Sequence, residues 1–320
     1  MTILILVLLL SLGFVAVIKG ADFMVDGAAA LARKYGISEM AIGLTVVAFG
    51  TSAPELAVNL QADDAIVFGN IIGSNNFNLL GVLGITGLIC PLILQKKTIR
   101  YELPISLGVL LIFYWFCNTA GGTSINGELS QWEGIVLLVF FLLFLFYVMK
   151  SSSPDELNQE LSEAPKSVPL SIGMVVLGLV GLIGGGKLIV HNATELARMV
   201  NMSETMIGLT VVSFGTSLPE LVTSIVAARK GKTELAVGNI LGSNIFNVLL
   251  IMGLSSTIKS RHFESFLNFD IGMTIAGVCV LILFLGLKKT QKLNWKVSLF
   301  MLLIFVLYYA QVMNRELSLI

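Results

Sequence analysis

The sequence predicts an all-α polytopic membrane protein, with ten transmembrane helices arranged as two inverted-topology five-helix repeats. Three observations predict this fold: the composition, the spacing of the apolar segments and an internal repeat. Of the 320 residues, 56% are hydrophobic and 12% are charged, which is about half the charged fraction of a soluble domain. A soluble domain of this size needs a polar shell, so the composition indicates a membrane protein.

Ten apolar segments have the length that a membrane helix requires, about 20 residues. The predicted spans are 2–20, 38–61, 65–91, 102–119, 132–149, 168–191, 204–228, 234–257, 268–287 and 294–313. The polar segment 150–167 separates two groups of five spans, and we interpret it as a cytoplasmic linker. The chain is therefore divided into a first five-helix repeat over 1–149 and a second over 168–320.

The distribution of Lys and Arg predicts the orientation, because these residues concentrate on the cytoplasmic side of membrane proteins. With the N-terminus outside, thirteen of them fall on the cytoplasmic side and four outside. The cytoplasmic set is Arg33, Lys34, Lys96, Lys97, Arg100, Lys150, Lys166, Arg229, Lys230, Lys232, Lys288, Lys289 and Lys292. Both termini are thus predicted to be extracytoplasmic.

The two halves share two motifs. Ile42–Leu56 (IGLTVVAFGTSAPEL) and Ile207–Leu221 (IGLTVVSFGTSLPEL) are identical at 13 of 15 positions. Gly69–Leu80 (GNIIGSNNFNLL) and Gly238–Leu249 (GNILGSNIFNVL) are identical at 9 of 12. Because five spans is an odd number, the second copy enters the membrane from the opposite side, an arrangement that recurs in secondary transporters.

Each copy of the first motif places a glutamate, Glu55 or Glu220, inside an apolar span. An acidic residue at the centre of a membrane helix costs about 2.5–3.5 kcal/mol, so two of them indicate that a cation or proton neutralises them. Hydroxyl groups lie three and four residues before each glutamate, on the same helical face. These hydroxyls belong to Thr51, Ser52, Thr216 and Ser217.

The prolines and the second motif add further oxygen atoms. Pro54 and Pro219 have no N–H, so each leaves a backbone carbonyl without its helical partner. The second motif forms a stripe of serine and asparagine that predicts an ion-lining face, and its glycines predict close helix packing. Ligands that are all oxygen favour a hard cation such as Ca²⁺ over zinc, copper or iron. Na⁺ or protons could equally neutralise the two carboxylates.

At these residues the sequence resembles the calcium:cation antiporter superfamily, and specifically the prokaryotic sodium/calcium exchangers. The likeness rests on Gly-Thr-Ser-x-Pro-Glu at 50–55 and 215–220 and on Gly-Asn-x-x-Gly-Ser-Asn-x-Phe-Asn at 69–78 and 238–247. These motifs correspond to the family's two α-repeats, about 38–91 and 204–257. The resemblance implies sodium-driven calcium extrusion by alternating access.

The resemblance also implies roles for single residues. Glu55 and Glu220 would bind calcium, aided by oxygens of Thr51 and Thr216. Asn78 and Asn247 would line the centre, and the neutral Asn247 argues against potassium co-transport. The implied sodium ligands, besides the two glutamates, are Ala48, Ser52, Ser74, Ser213, Ser217 and Ser243.

The resemblance implies a cell (inner) membrane protein whose partners are the transported Ca²⁺ and Na⁺ and the lipid bilayer, without a prosthetic group and functional as a monomer. The formal net charge of zero gives no indication of a nucleic-acid partner. The nearest alternative is a calcium/proton antiporter on the same fold, and a passive channel is another. An intramembrane hydrolase with Ser52 or Ser217 as nucleophile is disfavoured, because neither motif contains a histidine or lysine base.

Overall fold

The computed structural model describes residues 2–60, 64–118, 127–151, 167–202, 211, 213–287 and 291–317. Most of these residues are helical. Up to residue 151 the helices are α1 (Thr2–Tyr35), α2 (Glu39–Ile42), α3 (Ala48–Thr51), α4 (Ala53–Asn59), α5 (Asp64–Asn76), α6 (Leu83–Ile89), α7 (Leu103–Asn118) and α8 (Gln131–Ser151). They continue with α9 (Val168–Met199), α10 (Ser213–Thr216), α11 (Leu218–Arg229), α12 (Thr233–Phe246), α13 (Gly253–Ile258), α14 (Asn268–Leu287) and α15 (Trp295–Leu317).

Short π-helical and 3₁₀ segments extend several of these helices or join them end to end. The π-helical segments are Gly43–Val47, Phe77–Val82, Thr98–Glu102 and Asn247–Met252, and a 3₁₀ turn spans Ser265–Leu267. In the described ranges the strands are β1 (Leu92–Ile93), β2 (Glu128–Leu129), β3 (Arg261–His262) and β4 (Lys292–Leu293). β1 pairs antiparallel with β4, and β2 pairs antiparallel with β3.

The described residues confirm a helical membrane fold. Eight helical segments are long and apolar enough to cross a bilayer, and the bent segment from Glu39 to Asn59 makes a ninth if it is one span. The predicted span 204–228 lies partly outside the described residues, and its helices are seen only from Ser213 onward. Most of the predicted linker also lies outside them.

The first and sixth predicted spans are shorter than the helices that contain them. α1 reaches Tyr35 instead of ending at 20, and α9 reaches Met199 instead of 191. The prediction took charged and turn residues to mark the ends of the spans. Charge limits how much of a helix lies in lipid, but it does not end the helix itself.

The chain forms two compact units. The first unit lies within Met1–Pro54 and Ser152–Asn239, and the second within Glu55–Ser151 and Ile240–Ile320. In the second unit, large apolar side chains of α5 and of the segments around Phe77–Val82 and Asn247–Met252 are fully buried. They include Phe68, Ile71, Leu79, Leu80, Val248 and Leu249.

The first unit is built on the antiparallel pair α1 and α9, which pack backbone against backbone. A Cβ added to Gly20 would lie 2.7 Å from the backbone nitrogen of Leu182. A Cβ on Gly185 would lie 2.7 Å from the carbonyl oxygen of Gly13. Side chains at these positions would separate the helices, so the glycines permit the close packing.

Several contacts join segments that the Lys and Arg distribution assigns to the same side. In the first unit Lys230 Nζ lies 2.8 Å from Asp26 Oδ1 and 3.1 Å from Asp22 Oδ1, all on the predicted cytoplasmic side. In the second unit β1 and β4 pair on that same side, whereas β2 and β3 pair on the other. The contacts are therefore those expected if the loops alternate between two faces.

An ion pair ties the start of α5 to β3 in the second unit. Arg261, which is 4% exposed, donates from its Nη1 to Asp64 Oδ1 at 3.0 Å. The backbone N–H of His262 donates to Asp64 Oδ2 at 3.0 Å. Burial opposes ionisation of Asp64, but these two bonds and the charges of Lys259 and Arg261 outweigh it and lower the pKa of the carboxyl.

Candidate cation site

The first motif breaks its helix at the same position in both repeats. The helix is bent by 46° at Ser52. Ser52 has φ −84° and ψ 5°, and Ser217, its equivalent, has φ −94° and ψ 6°. Pro54 and Pro219 follow two residues later and have no N–H to continue the helical bonding, which accounts for the breaks. The interruption that the prolines predict is confirmed.

Each break places a glutamate at the start of a new helix. Glu55 lies in the first turn of α4 and Glu220 in the first turn of α11, and each residue is 1% exposed. The partial positive charge at a helix N-terminus stabilises a carboxylate by about 2 kcal/mol at most. Burying a charge costs several kcal/mol. A bound cation would offset part of that cost, so both glutamates are candidate cation ligands.

In the first unit, a hydroxyl of one repeat bonds the glutamate of the other. Ser52 Oγ donates to Glu220 Oε1 at 3.2 Å, and both residues are buried. The sequence predicted that the Ser52 hydroxyl would share a helical face with Glu55, three residues later in the same motif. The break at Ser52 interrupts that helical spacing, so the observed bond crosses between the repeats.

Asn239 connects the broken helices of the first unit. Thr51 Oγ1 donates to Asn239 Oδ1 at 3.0 Å, and Asn239 Nδ2 donates to Ser224 Oγ at 3.0 Å and to the carbonyl oxygen of Glu220 at 3.4 Å. Asn239 is fully buried. It opens the second copy of the Gly-Asn motif, but the sequence alone did not single it out as a site residue.

In the second unit, the Asn59 side chain bonds back to the backbone of its own helix, α4, which also contains Glu55. Its Nδ2 donates to the carbonyl oxygen of Glu55 at 2.7 Å, and Ser255 Oγ donates to the carbonyl oxygen of Asn59 at 3.4 Å. Asn59 is fully buried, and its Oδ1 has no hydrogen-bond partner among the described residues. The equivalent residue in the other repeat is Ser224, so this amide distinguishes the two copies.

The asparagines of the second motif meet in the second unit. Asn247 Nδ2 donates to Asn75 Oδ1 at 3.0 Å, and Asn247 Oδ1 has no partner in the described part of the chain. Asn78 Oδ1 likewise has none there. Both begin or follow the start of a π-helical segment, a widened turn that recurs at functional sites. Two buried amide oxygens are therefore available as ligands.

The remaining predicted site residues are mostly buried. Ala48, Ser217 and Ser243 are 0% exposed, Ser74 is 4% exposed, and Thr216 is half-buried. The carbonyl oxygen of Ala48 accepts from Thr51 Oγ1 at 3.3 Å, and Ser74 Oγ donates to Asn70 Oδ1 at 3.3 Å, as the predicted polar stripe requires. Ser213 begins α10, but its side chain lies outside the described residues.

The glycines of the second motif differ between the repeats. A Cβ on Gly238 would lie 2.7 Å from the carbonyl oxygen of Met40, so close packing is confirmed there. No described atom lies within 4 Å of a Cβ placed on Gly69 or Gly73.

The candidate ligands described in each unit are oxygen atoms throughout. They are carboxylates, hydroxyls, side-chain amide oxygens and backbone carbonyls, the ligands that Ca²⁺ and Na⁺ accept. Over the described ranges, no group of three or more His, Cys, Asp and Glu could hold a metal ion. Any charge on the ligands described here thus comes from the glutamates.

Comparison with known proteins gives one consistent result. The family model described as "Sodium/calcium exchanger protein" matches residues 5–150 and 170–313. Inner membrane protein YrbG of Escherichia coli is 37% identical over 269 residues, which are 80% of this chain and 81% of that protein. Sodium/calcium exchanger MaX1 of Methanosarcina acetivorans is 30% identical over 317 residues, 87% of this chain and 91% of that protein.

A solved structure matches the fold over nearly the whole chain. The structure of the sodium-calcium exchanger NCX_Mj soaked with zero Na⁺ and Ca²⁺ aligns with a TM-score of 0.84 and 28% sequence identity. The alignment covers 97% of this chain and 99% of that one. The similarity therefore includes both repeats and both motifs.

Proposed function

This chain belongs to the sodium/calcium exchanger protein family, and we propose that it is a secondary antiporter that exchanges Na⁺ for Ca²⁺ by alternating access. Membership of the family supports calcium/cation antiport, and we propose sodium as the counter-ion. The observation that carries it is the buried bond from Ser52 Oγ to Glu220 Oε1, which joins the matching motifs of the two repeats at a carboxylate. With an inward sodium gradient, the exchange extrudes calcium.

Glu55 and Glu220 bind calcium together, with oxygens of Thr51 and Thr216. The Ser52 bond to Glu220 supports this pairing, because Ser52 lies only three residues before Glu55 in the chain. Ca²⁺ prefers six to eight oxygen ligands, and two carboxylates supply up to four of them. Carbonyl oxygens and water supply the remaining two to four, approximately. Sodium uses the same glutamates with Ala48, Ser52, Ser74, Ser213, Ser217 and Ser243, and Asn78 and Asn247 line the centre.

Exchange follows from the charge of the two glutamates. Two uncompensated carboxylates inside the membrane are costly, so the empty carrier rarely changes its orientation. One Ca²⁺ or several Na⁺ neutralise them and permit the change. The backbone packing of α1 on α9 supports a movement in which these two helices travel as one body.

The proposed architecture has ten spans in two inverted repeats, 1–149 and 168–320, joined by a cytoplasmic linker at 150–167. Both termini are extracytoplasmic, and the protein resides in the cell (inner) membrane. The segregation of loop contacts into two sets supports the alternation of spans. The protein acts as a monomeric carrier without a prosthetic group or enzymatic activity, and its motifs contain no base for an activated serine.

A flux assay in proteoliposomes tests the function. Vesicles loaded with Na⁺ and diluted into sodium-free buffer with ⁴⁵Ca²⁺ are expected to accumulate calcium, and equalising sodium is expected to abolish uptake. A proton gradient imposed alone is the second arm. Uptake driven by the pH gradient and indifferent to sodium would favour the calcium/proton antiporter, whereas uptake without any counter-ion would indicate a channel.

Removing one charge tests the site. Glu55→Gln and Glu220→Gln are each expected to reduce calcium exchange to the level of protein-free vesicles, because the remaining carboxylate cannot balance Ca²⁺. Glu195→Gln is the matched control, since the Glu195 side chain is 41% exposed and pairs with Arg198 at the surface. Exchange retained in either site variant would show that the site is misassigned.

A further inference from the structure

Asn75 and Asn244 occupy equivalent positions in the two copies of the second motif, and they bond each other reciprocally in the second unit. Asn75 Nδ2 donates to the carbonyl oxygen of Asn244 at 3.3 Å, and Asn244 Nδ2 donates to the carbonyl oxygen of Asn75 at 3.2 Å. Each residue is 2% exposed. As far as these two bonds are concerned, the repeats are symmetric.

The Oδ1 atoms of Asn75 and Asn244 differ in their hydrogen-bond partners. Asn75 Oδ1 accepts from Asn247 Nδ2 at 3.0 Å. The equivalent bond would run from Asn78 to Asn244 Oδ1, but Asn244 Oδ1 and Asn78 Oδ1 are both buried without a partner among the residues described. Asn75 therefore holds the Asn247 amide, whereas Asn244 Oδ1 holds no amide among the described residues.

The backbone determines which way the Asn247 amide points. A carbonyl oxygen only accepts hydrogen bonds, so the atom of Asn75 that faces Asn244 O must be the nitrogen. The other end of the Asn75 amide is then its oxygen, which also only accepts. The atom of Asn247 that lies 3.0 Å from it must be Nδ2, and Oδ1 is turned to the opposite side.

We propose that Asn75 is a positioning residue, which holds the Asn247 amide with its oxygen available to the transported cation. The inference rests on the proposed function, in which Asn247 lines the ion path. If the amide were turned over, it would present N–H groups, whose partial positive charge opposes a cation. Asn75 thereby determines whether residue 247 attracts or repels the ion, although it contributes no ligand itself.

Two matched variants separate this role from simple packing. Asn75→Leu and Asn244→Leu each remove one donor to the opposite carbonyl, at equivalent and equally buried positions. Only Asn75→Leu also releases Asn247. We expect Asn75→Leu to weaken Ca²⁺ binding about tenfold or more relative to Asn244→Leu, since loss of a partner that orients a metal ligand typically weakens affinity about 10–100-fold. Calorimetry with CaCl₂ on the purified full chain measures it.

A second substitution tests orientation directly. A carboxylate presents oxygen at both ends, so Asn247→Asp needs no neighbour to orient it. In the Asn247→Asp background we expect Asn75→Leu to weaken Ca²⁺ binding by no more than about twofold. An equal loss in both backgrounds, or equal losses for Asn75→Leu and Asn244→Leu, would overturn the proposal, because either result means that Asn75 acts only through packing.

Separate controls distinguish a folding defect, a failure of the proposed function and a failure of the role of Asn75. Should either leucine variant aggregate during size-exclusion chromatography, Asn75→Ala and Asn244→Ala provide the same comparison with less steric change. A wild-type chain that binds no Ca²⁺ would overturn the proposed function and, with it, this role of Asn75. Wild-type binding with no difference between the paired variants would overturn the role of Asn75 alone.

Discussion

Replacing Asn239 with leucine should loosen the broken helices of the first unit. Asn239 is fully buried and makes three hydrogen bonds, to Thr51, Ser224 and the backbone of Glu220. Leucine has a similar shape, so the change removes the bonds without leaving a large cavity. Its equivalent, Asn70, is half-buried and accepts one bond from Ser74, which makes Asn70→Leu the matched control.

The size of the effect follows from the number of bonds. Each hydrogen bond contributes a net 0.5–1.5 kcal/mol, so three contribute about 1.5–4.5 kcal/mol to the free energy of unfolding. With an unfolding entropy of about 2 cal/mol/K per residue over 320 residues, this lowers Tm by about 2–7 °C. Asn70→Leu loses one bond at a half-buried position and should lower Tm by about 2 °C or less.

Thermal unfolding in detergent, followed by intrinsic tryptophan fluorescence, measures both variants. We also expect the stabilisation by added CaCl₂ to shrink in Asn239→Leu, because the backbone of Glu220 is no longer held. Bound ligand raises stability with the logarithm of its concentration relative to Kd, so the calcium-induced rise in Tm reports affinity. Equal Tm values for Asn239→Leu and Asn70→Leu would refute the assigned role of Asn239.

Two further predictions concern stability. Because the pKa of Asp64 is lowered below its ordinary 3.8, its ion pair stabilises the fold above that pH, and this contribution is lost as pH falls through the folded pKa. Asp64→Asn should therefore lower the free energy of unfolding by about 2 kcal/mol at pH 7 by removing the charged partner of Arg261, and the denaturation curves of variant and wild type should converge only as pH falls below the folded pKa of Asp64. Gly20→Ala should lower the free energy of unfolding by about 1–3 kcal/mol, since its Cβ would meet the Leu182 backbone. Gly184→Ala should leave that free energy unchanged, because no described atom lies within 4 Å of a Cβ there. A Tm for Gly20→Ala equal to that of Gly184→Ala would contradict the packing assigned to α1 and α9.

The features that the sequence could predict are those written in local pattern. Apolar length predicts the membrane helices, and the prolines at 54 and 219 predict the breaks beside the glutamates. The two-fold occurrence of both motifs predicts that the same chemistry recurs in each half. These signals depend on the residue itself and its near neighbours, so they need no knowledge of tertiary structure.

The partners of individual side chains could not be predicted in this way. Ser52 and Glu220 are 168 residues apart, and local helical spacing assigned that hydroxyl to Glu55 instead. The two copies of the second motif are identical at Asn75 and Asn244, yet within the described ranges Asn75 Oδ1 accepts from another side-chain amide and Asn244 Oδ1 does not. Such differences arise from packing between distant segments, which a repeated motif cannot reveal.

The antiparallel register of α1 and α9 also determines how this pair meets the lipid. Gly27 of α1 lies against Ser171, so Leu170 is level with a residue just beyond Gly27. Exposed large apolar side chains run from Ile3 on α1 to Leu170 on α9, an extent of about 25 residues or 38 Å that also contains Asp22 and Asp26 near its predicted cytoplasmic end. Because this extent exceeds a hydrocarbon layer about 30 Å thick, tilt of the helix pair or local thickening of the bilayer has to accommodate the difference. A thicker bilayer reduces this mismatch, so lipid chain length acts mechanically on the helix pair.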